Sequence, residues 1–405
     1  MTKDNPEGRG RILVLTSTFP RREGDAEPAF VFDLCRRLAE RFEVTVLAPH
    51  APGARTAETM AGMRVVRFRY GPECWERLAY EGGIMANLRR NPLLYLMLPP
   101  FFLAQLMPLL IVLRRDRPVV VHAHWIVPQG IVLAAALSLS GHRPRAICTT
   151  HGSDVLALRG PFWRALRRWV AARLDCIVAV TEPLREQLLE EGCPRNKTAV
   201  IPMGTDLAGL FSPSAETPRS RSEVLFVGRL AREKGADMLV NAMPRILAQR
   251  PDTILTFVGD GPEKVSLRNT AQHLGLGERV HFAGAQLHAA LPAFYRRAAL
   301  LVLPSRREGF GLVLAEAMGC GCPVAASDLP TLRVLVEEGR SGRLFRLADI
   351  GDMARVVCEL LADPSSAQRL AEEARRRVLQ RFDWEGVARR YAEVLVPAQH
   401  GDADA

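Results

Sequence analysis

The chain has 405 residues, 48% hydrophobic and 24% charged, which suits two or three globular domains that bury a sizeable core. Its eight cysteines are scattered and its first ten residues are mostly polar, so the expectation is a reduced, cytoplasmic protein without a secretory leader, not a disulfide scaffold. The net charge is +10, and residues 1–200 carry 28 Lys and Arg against 19 Asp and Glu while residues 201–405 carry 26 against 25; the excess sits in the first half, where nucleic acid or an anionic membrane surface could meet it.

Residues 11–16 read as a short buried strand, and the loop 17–28 has Gly24 at its tip. Phe30, Leu34 and Leu38 recur at helical spacing, and residues 43–48 form a second strand ended by Pro49. Strand, loop, helix and strand in that order predict a doubly wound α/β sheet. Residues 63–69 alternate as a strand. Residues 93–113 carry no charge and are long enough to span a bilayer. Pro99, Pro100 and Pro108 are expected to break any continuous helix there. Arg89, Arg90, Arg114, Arg115 and Arg117 flank the run on both sides, so neither side is the more positive. The favoured reading of residues 84–117 is a helical hairpin or bent helix lying in a membrane interface. A buried or oligomeric contact and a true span are the alternatives.

Residues 119–125 form another strand, on which His122 and His124 share a face near its C-terminal end, where open α/β sheets bind ligands. The spacing offers no further metal ligands, and cleft-lining or core histidines are the plainer reading. Residues 146–150 run into His151-Gly152-Ser153-Asp154. An imidazole at such a strand end can donate to a hydroxyl or accept a proton. Residues 162–172 read as a basic helix with Arg164, Arg167 and Arg168 on a solvated face. Strands at 176–180 and 197–201 enclose a helix at 183–191, and Pro202-Met203-Gly204 opens a link.

Residues 211–222, rich in Ser and Pro, read as an exposed connection. Residues 223–228 open a second doubly wound set and lead into Gly228-Arg229-Leu230-Ala231-Arg232-Glu233-Lys234-Gly235. An Arg offers a fork to two phosphate oxygens and a Lys a point charge. A strand at 253–258 runs into Gly259-Asp260-Gly261-Pro262, and Val280-His281-Phe282-Ala283-Gly284 follows. The apolar run 299–303 is a buried parallel strand ended by Pro304 and Ser305. Then comes Glu308-Gly309-Phe310-Gly311-Leu312-Val313-Leu314-Ala315-Glu316. Its glycines permit a tight turn, and a helix starts at Leu312. Strand, glycine turn and helix N-terminus make an anion site. One carboxylate stands before the helix and one just over a turn inside it. They would bracket a diphosphate and hydrogen-bond hydroxyls on either side, as a nucleotide sugar requires. Residues 353–361 and 367–379 are helical, and Trp384 begins a last helix.

This run, with Glu308 and Glu316 eight apart around glycines, resembles the signature of retaining glycosyltransferases of the GT-B fold, family 4 in particular. The likeness extends to Gly228-Arg229 with Lys234-Gly235 and to His151-Gly152-Ser153-Asp154. It covers nearly the whole chain and is weakest at residues 70–115. It implies two Rossmann-like doubly wound domains facing across a cleft. Residues 1–203 would bind the acceptor and residues 204–383 the nucleotide sugar. A final helix, 384–397, would cross back onto the first domain, with Trp384 as anchor. Residues 398–405 read as a disordered tail. By the family's pattern Glu308, Gly309 and Phe310 meet the transferred sugar and Glu316 the ribose. Arg229, Lys234, Gly311 and Leu312 meet the diphosphate, with Gly24 where many members carry a glycine pair. Gly259, Gly261, Phe282 and Gly284 line the base side, where backbone readout leaves uridine and guanosine unseparated. His151, Glu308 and Asp154 are the candidate catalytic residues.

The implied reaction moves a hexosyl unit from a UDP- or GDP-linked donor to an acceptor hydroxyl. It proceeds with retention, through an oxocarbenium-like transition state, and needs no metal or other cofactor. The only Asp-x-Asp spacing, Asp402-Ala403-Asp404, lies in the tail. Residues 84–117 and the basic first half suit a lipid-linked or cell-surface glycan precursor reached from the cytosolic membrane face. That makes the protein cytoplasmic and peripheral, without a nucleic-acid partner. The fold also hosts nucleotide-sugar epimerases and phosphorylases, which stay as alternatives. A nucleic-acid-binding protein rests on charge alone.

Overall fold

The computed structural model describes residues 9–22, 25, 30–80 and 82–396; Gly24 and the tail 398–405 lie outside the described residues. The chain divides into two compact units, residues 1–201 with 387–405, and residues 202–386.

The first unit holds β1 (Arg11–Leu15), β2 (Glu43–Pro49), β3 (Ala57–Met60), β4 (Met63–Phe68), β5 (Val120–His124), β6 (Arg145–Thr150), β7 (Cys176–Ala179) and β8 (Thr198–Val200). Among the described residues these form one sheet in the order β3-β4-β2-β1-β5-β6-β7-β8. β3 alone runs antiparallel, on β4. β5 is buried along its whole length, as a strand covered by helices on both faces should be. The order reverses between β1 and β5, which puts a topological switch point beside the histidine strand. β3 gave no sequence signal because it is short and mostly exposed. Its turn uses Ala61 and Gly62, both at positive φ, and Ala is an unexpected residue for that conformation.

Residues 93–113 depart from the expected break. Pro92–Met97 is a 3-10 turn, and Leu98–Arg115 is one continuous helix. Pro99 and Pro100 sit in its first turn, where no intrahelical N–H is needed, so only Pro108 gives up a bond. Phe101, Gln105, Leu109 and Leu113 are buried, while Leu103, Met107 and Ile111 face outward. Phe101 packs edge-on against Phe68 and Tyr70. A second departure is in the helix Pro161–Arg173, where Arg167 is fully buried instead of solvated. Its fork closes on Glu191 at 2.5 and 2.8 Å, and its remaining nitrogen donates to the Asp154 and Leu158 carbonyls. A paired, fully hydrogen-bonded guanidinium is the form in which burial is tolerated.

Residues from Val387 onward also belong to this unit. Tyr391 and Leu395 are buried, and Arg145 Nε donates to the Val394 carbonyl at 2.9 Å.

The second unit holds β9 (Glu223–Val227), β10 (Ile254–Val258), β11 (Val280–Gly284), β12 (Leu300–Leu303), β13 (Val324–Ser327) and β14 (Arg343–Phe345). Among the described residues its strand order is β11-β10-β9-β12-β13-β14, all parallel, with the switch point between β9 and β12. Val224, Phe226, Leu255, Phe257 and Val302 pack from the sheet onto Leu239, Met243 and Val357. Residues 211–222 are a partly exposed connection that is pinned at two points. Phe211 is buried against Tyr295 and His288, and Arg219 donates to the Ala298 and Gly321 carbonyls at 2.7 and 2.9 Å. The Ser and Pro content did not reveal the one buried aromatic and one arginine that anchor the segment. Trp384 is buried over Gly204, where any Cβ would come within 2.2 Å of its ring.

Candidate functional site

In the second unit the loops after β9 and β12 leave the sheet side by side. Gly235 takes φ +69°, and a Cβ there would lie 2.0 Å from the Pro304 carbonyl oxygen, so only glycine lets the two loops touch. Arg306 clamps them: it forks onto Asp237 at 2.7 Å twice and donates to the Arg232 carbonyl at 2.8 Å. The result is a pair far apart in sequence. Lys234 Nζ donates to Glu308 Oε2 at 2.7 Å. Ser305 Oγ donates to the same oxygen at 3.2 Å, and Thr331 donates to the Glu308 carbonyl at 2.7 Å. An ammonium and a carboxylate are thus held at the switch point, each mostly shielded from water.

Gly311 takes φ +92° just before the helix Leu312–Gly319, while Gly309 needs no such conformation. Glu316 is buried in that helix, and both its oxygens are engaged. Tyr295 donates its hydroxyl to Oε2 at 2.7 Å, and His288 Nε2 meets Oε1 at 2.9 Å. Burial, then the Glu316 charge, holds the Tyr295 phenol well above its ordinary range. Neither Tyr295 nor His288 stood out in the sequence; a tyrosine in an apolar helical pattern carries no mark of its partner. Phe310 turns inward and packs edge-on against Phe382, so its ring serves the core and only its backbone is left for a ligand.

The base-side residues gather at the ends of β9, β10 and β11. A Cβ on Gly259 would lie 2.0 Å from the Gly228 carbonyl oxygen, and its N–H donates to the Gly284 carbonyl at 2.8 Å. A Cβ on Gly261 would lie 2.3 Å from the Leu230 carbonyl oxygen. Phe282 stacks on Phe257, 18° from parallel, with Arg268 over its ring. Arg229 follows β9, half-buried.

In the first unit His151 leaves the end of β6. His124 Nδ1 lies 3.0 Å from His151 Nε2, and Phe30 and Trp125 flank the His151 ring, each 4.8 Å away. His122 Nε2 meets Thr149 Oγ1 at 2.8 Å, and its ring packs 4.3 Å from His124. Burial pushes His122 and His151 down to about 3 and His124 well below its ordinary value, so all three are neutral near pH 7. Asp154 is buried, with Thr150 Oγ1 donating to Oδ1 and the Ile126 N–H to Oδ2, both at 2.6 Å. Its carboxylate ties the end of β6 to the segment after β5.

Residues 29–208 match Glycosyltransferase Family 4, and residues 211–377 match Glycosyl transferases group 1. A glycogen synthase from Mycobacterium tuberculosis is 32% identical over 299 residues, 71% of each chain. The chain belongs to the family 4 glycosyltransferases of the GT-B fold. A GDP-mannose-dependent alpha-(1-6)-phosphatidylinositol monomannoside mannosyltransferase from Mycolicibacterium smegmatis is 28% identical to this glycosyltransferase, over 95% of its chain and 98% of the relative's. The solved sucrose-phosphate synthase from Thermosynechococcus elongatus superposes with a TM-score of 0.78 at 27% identity, covering 95% and 98% of the two chains. Within the glycosyltransferase, Lys234, Glu308, Gly311, Leu312 and Glu316 come together in the second unit, and His151 and Asp154 in the first.

Proposed function

We propose that this glycosyltransferase moves a hexosyl unit from a nucleoside-diphosphate sugar to a hydroxyl of a lipid-linked glycan precursor, with retention at the anomeric carbon and no metal ion. The observation that carries the reading is the Lys234–Glu308 pair at the β9/β12 switch point, beside the N-terminus of the Leu312–Gly319 helix. An incoming diphosphate takes Lys234 as its counter-charge, with Arg229 and the helix amides, and frees Glu308 to bind sugar hydroxyls. Glu316, already oriented by Tyr295 and His288, keeps lone pairs for ribose hydroxyls. Gly259, Gly261, Phe282 and Gly284 form the base side through backbone and ring contacts. Charge that builds on the leaving diphosphate meets these fixed cations and dipoles.

The chemical step is a same-face displacement. The anomeric C–O bond to the β-phosphate breaks, and the acceptor oxygen bonds to that carbon on the same side. The departing phosphate oxygen takes the acceptor proton. Glu308 holds the sugar through the step; by the family's pattern His151 also serves the transferred sugar, with Asp154 supporting it.

The lipid-linked acceptor rests on two supports. The full-length mannosyltransferase relative is named for a phosphatidylinositol-based acceptor. The chain itself presents Leu96, Leu103, Met107 and Ile111, each more than half exposed, on the outer side of one helix and its preceding turn. Exposed Arg89, Arg90, Arg114 and Arg115 bracket that stripe. Apolar side chains between cations match an anionic bilayer surface, so the protein works as a peripheral protein at the cytosolic face. The experiment is transfer from UDP- and GDP-linked hexoses to a polyprenyl-linked acceptor, with proton NMR of the product's anomeric centre. An α-donor should give an α-product without added divalent ion. A β-product, or release of an altered nucleotide sugar with no acceptor used, would replace this reading.

A further inference from the structure

The contact between His124 and His151 fixes more than a ring's place. The two imidazole planes lie 17° from parallel, with ring centroids 5.3 Å apart and the facing nitrogens 3.0 Å apart, so those nitrogens lie close to the line between the rings, as an in-plane N–H···N bond needs. Two neutral rings joined this way share one bridging proton, so their outer nitrogens differ in kind: one carries a proton and one is bare. Those outer nitrogens, His124 Nε2 and His151 Nδ1, are buried without a hydrogen-bond partner. The two rings are not equally deep. His124 is 1% exposed, whereas His151 is partly open at the end of β6. A buried N–H without an acceptor is the rarer orphan among backbone groups, and the same preference puts the N–H on the less deeply buried ring, His151, which is partly open although its Nδ1 is itself covered.

We propose that His124 is a positioning residue for His151: it donates from Nδ1 to His151 Nε2 and so makes His151 present an Nδ1–H donor to a hydroxyl of the transferred sugar. The inference rests on the proposed role of His151. The neighbours fit it. His122, held by Thr149, packs against His124, and Trp125 and Phe30 fix the His151 ring plane.

The test uses the full chain. His124→Phe keeps the ring shape and removes the donor. His124→Asn restores an amide N–H near the place of Nδ1. The Phe variant should lose kcat on the order of 10- to 100-fold, as removal of an orienting partner does. Its calorimetric affinity for UDP and GDP should stay unchanged. The Asn variant should recover at least roughly a third of wild-type kcat, because the donor is back. Nitrogen-15 NMR of histidine-labelled wild type should report the Nδ1–H tautomer at His151. An Nε2–H tautomer there, or wild-type kcat in His124→Phe, overturns the inference. The NMR measurement stands even if His124→Phe fails to fold. Wild-type turnover in His151→Ala would remove the role of His151 itself and this inference with it. Loss in His151→Ala without loss in His124→Phe would strike the positioning role alone.

Discussion

Lys234 and Glu308 stand 74 positions apart in sequence and 2.7 Å apart in space. On the proposed reading each meets a different part of the donor. Lys234→Ala and Glu308→Gln should each lower turnover by roughly 10²-fold or more, the cost of losing one fixed charge or hydrogen bond in the transition state. Melting temperatures should hold within a few degrees; a variant of either kind that turns over at the wild-type rate would take that residue out of the site. Tyr295→Phe leaves the buried Glu316 carboxylate with one donor fewer, so it should destabilise the fold by about 1–3 kcal/mol and weaken donor binding. Equal donor affinity in calorimetry would separate Tyr295 from the site. The buried histidines add a pH signature. In the unfolded chain His122 and His151 titrate near 6.5, whereas burial brings both down to about 3 in the fold. The folded state therefore binds fewer protons, and its stability is full above about pH 6.5 and falls as the pH drops toward 3. His122→Phe should flatten the fall in melting temperature between pH 7 and 5; an unchanged slope would assign that fall to other groups. That Lys234 and Glu308 belong together was legible because their chemistry and spacing suggest one ligand. Tyr295, His288 and the His124 contact were not, since each acts through a partner that only the fold supplies.

At the scale of elements, the Leu98–Arg115 helix was readable as apolar and ambiguous as to place. Its inward side, Phe101, Gln105, Leu109 and Leu113, is core, and its outward side is equally apolar. A pattern apolar all round does not say which side is covered. The proline reading failed for a related reason: Pro breaks a helix interior and suits a first turn, and the sequence did not reveal where the first turn lay. Replacing Leu103, Met107 and Ile111 together with Glu should leave the fold intact, because all three are exposed. It should also lower binding to phosphatidylserine-containing vesicles by at least about tenfold, as apolar insertion is lost and anionic lipid repels the new charges. Flotation equal to wild type would remove the membrane from the account. Residues 211–222 and Arg167 teach the converse. Polar composition predicted exposure, and it hid one buried aromatic in the first and one buried ion pair in the second.

For the whole molecule, two doubly wound sheets could be read from the order of strands and glycine turns, because parallel strands buried on both faces leave continuous apolar runs. Edge strand β3 escaped, being short and exposed. The start of the last helix shows how tightly one residue can be constrained. Gly204→Ala would push a methyl group into the Trp384 ring, so it should destabilise by roughly 1–3 kcal/mol, the usual cost of overpacking, seen as a lower melting temperature. An unchanged melting temperature would mean that Trp384 can move aside freely. The central claim is that the β9/β12 switch point of the second unit holds the donor. Diffraction from crystals soaked separately with UDP-glucose and GDP-mannose tests it most directly. One of the two should bind with its diphosphate about 3 Å from Arg229 and Lys234, Lys234 drawn away from Glu308, and ribose hydroxyls on Glu316. Nucleotide density remote from the ends of β9 and β12 would contradict it.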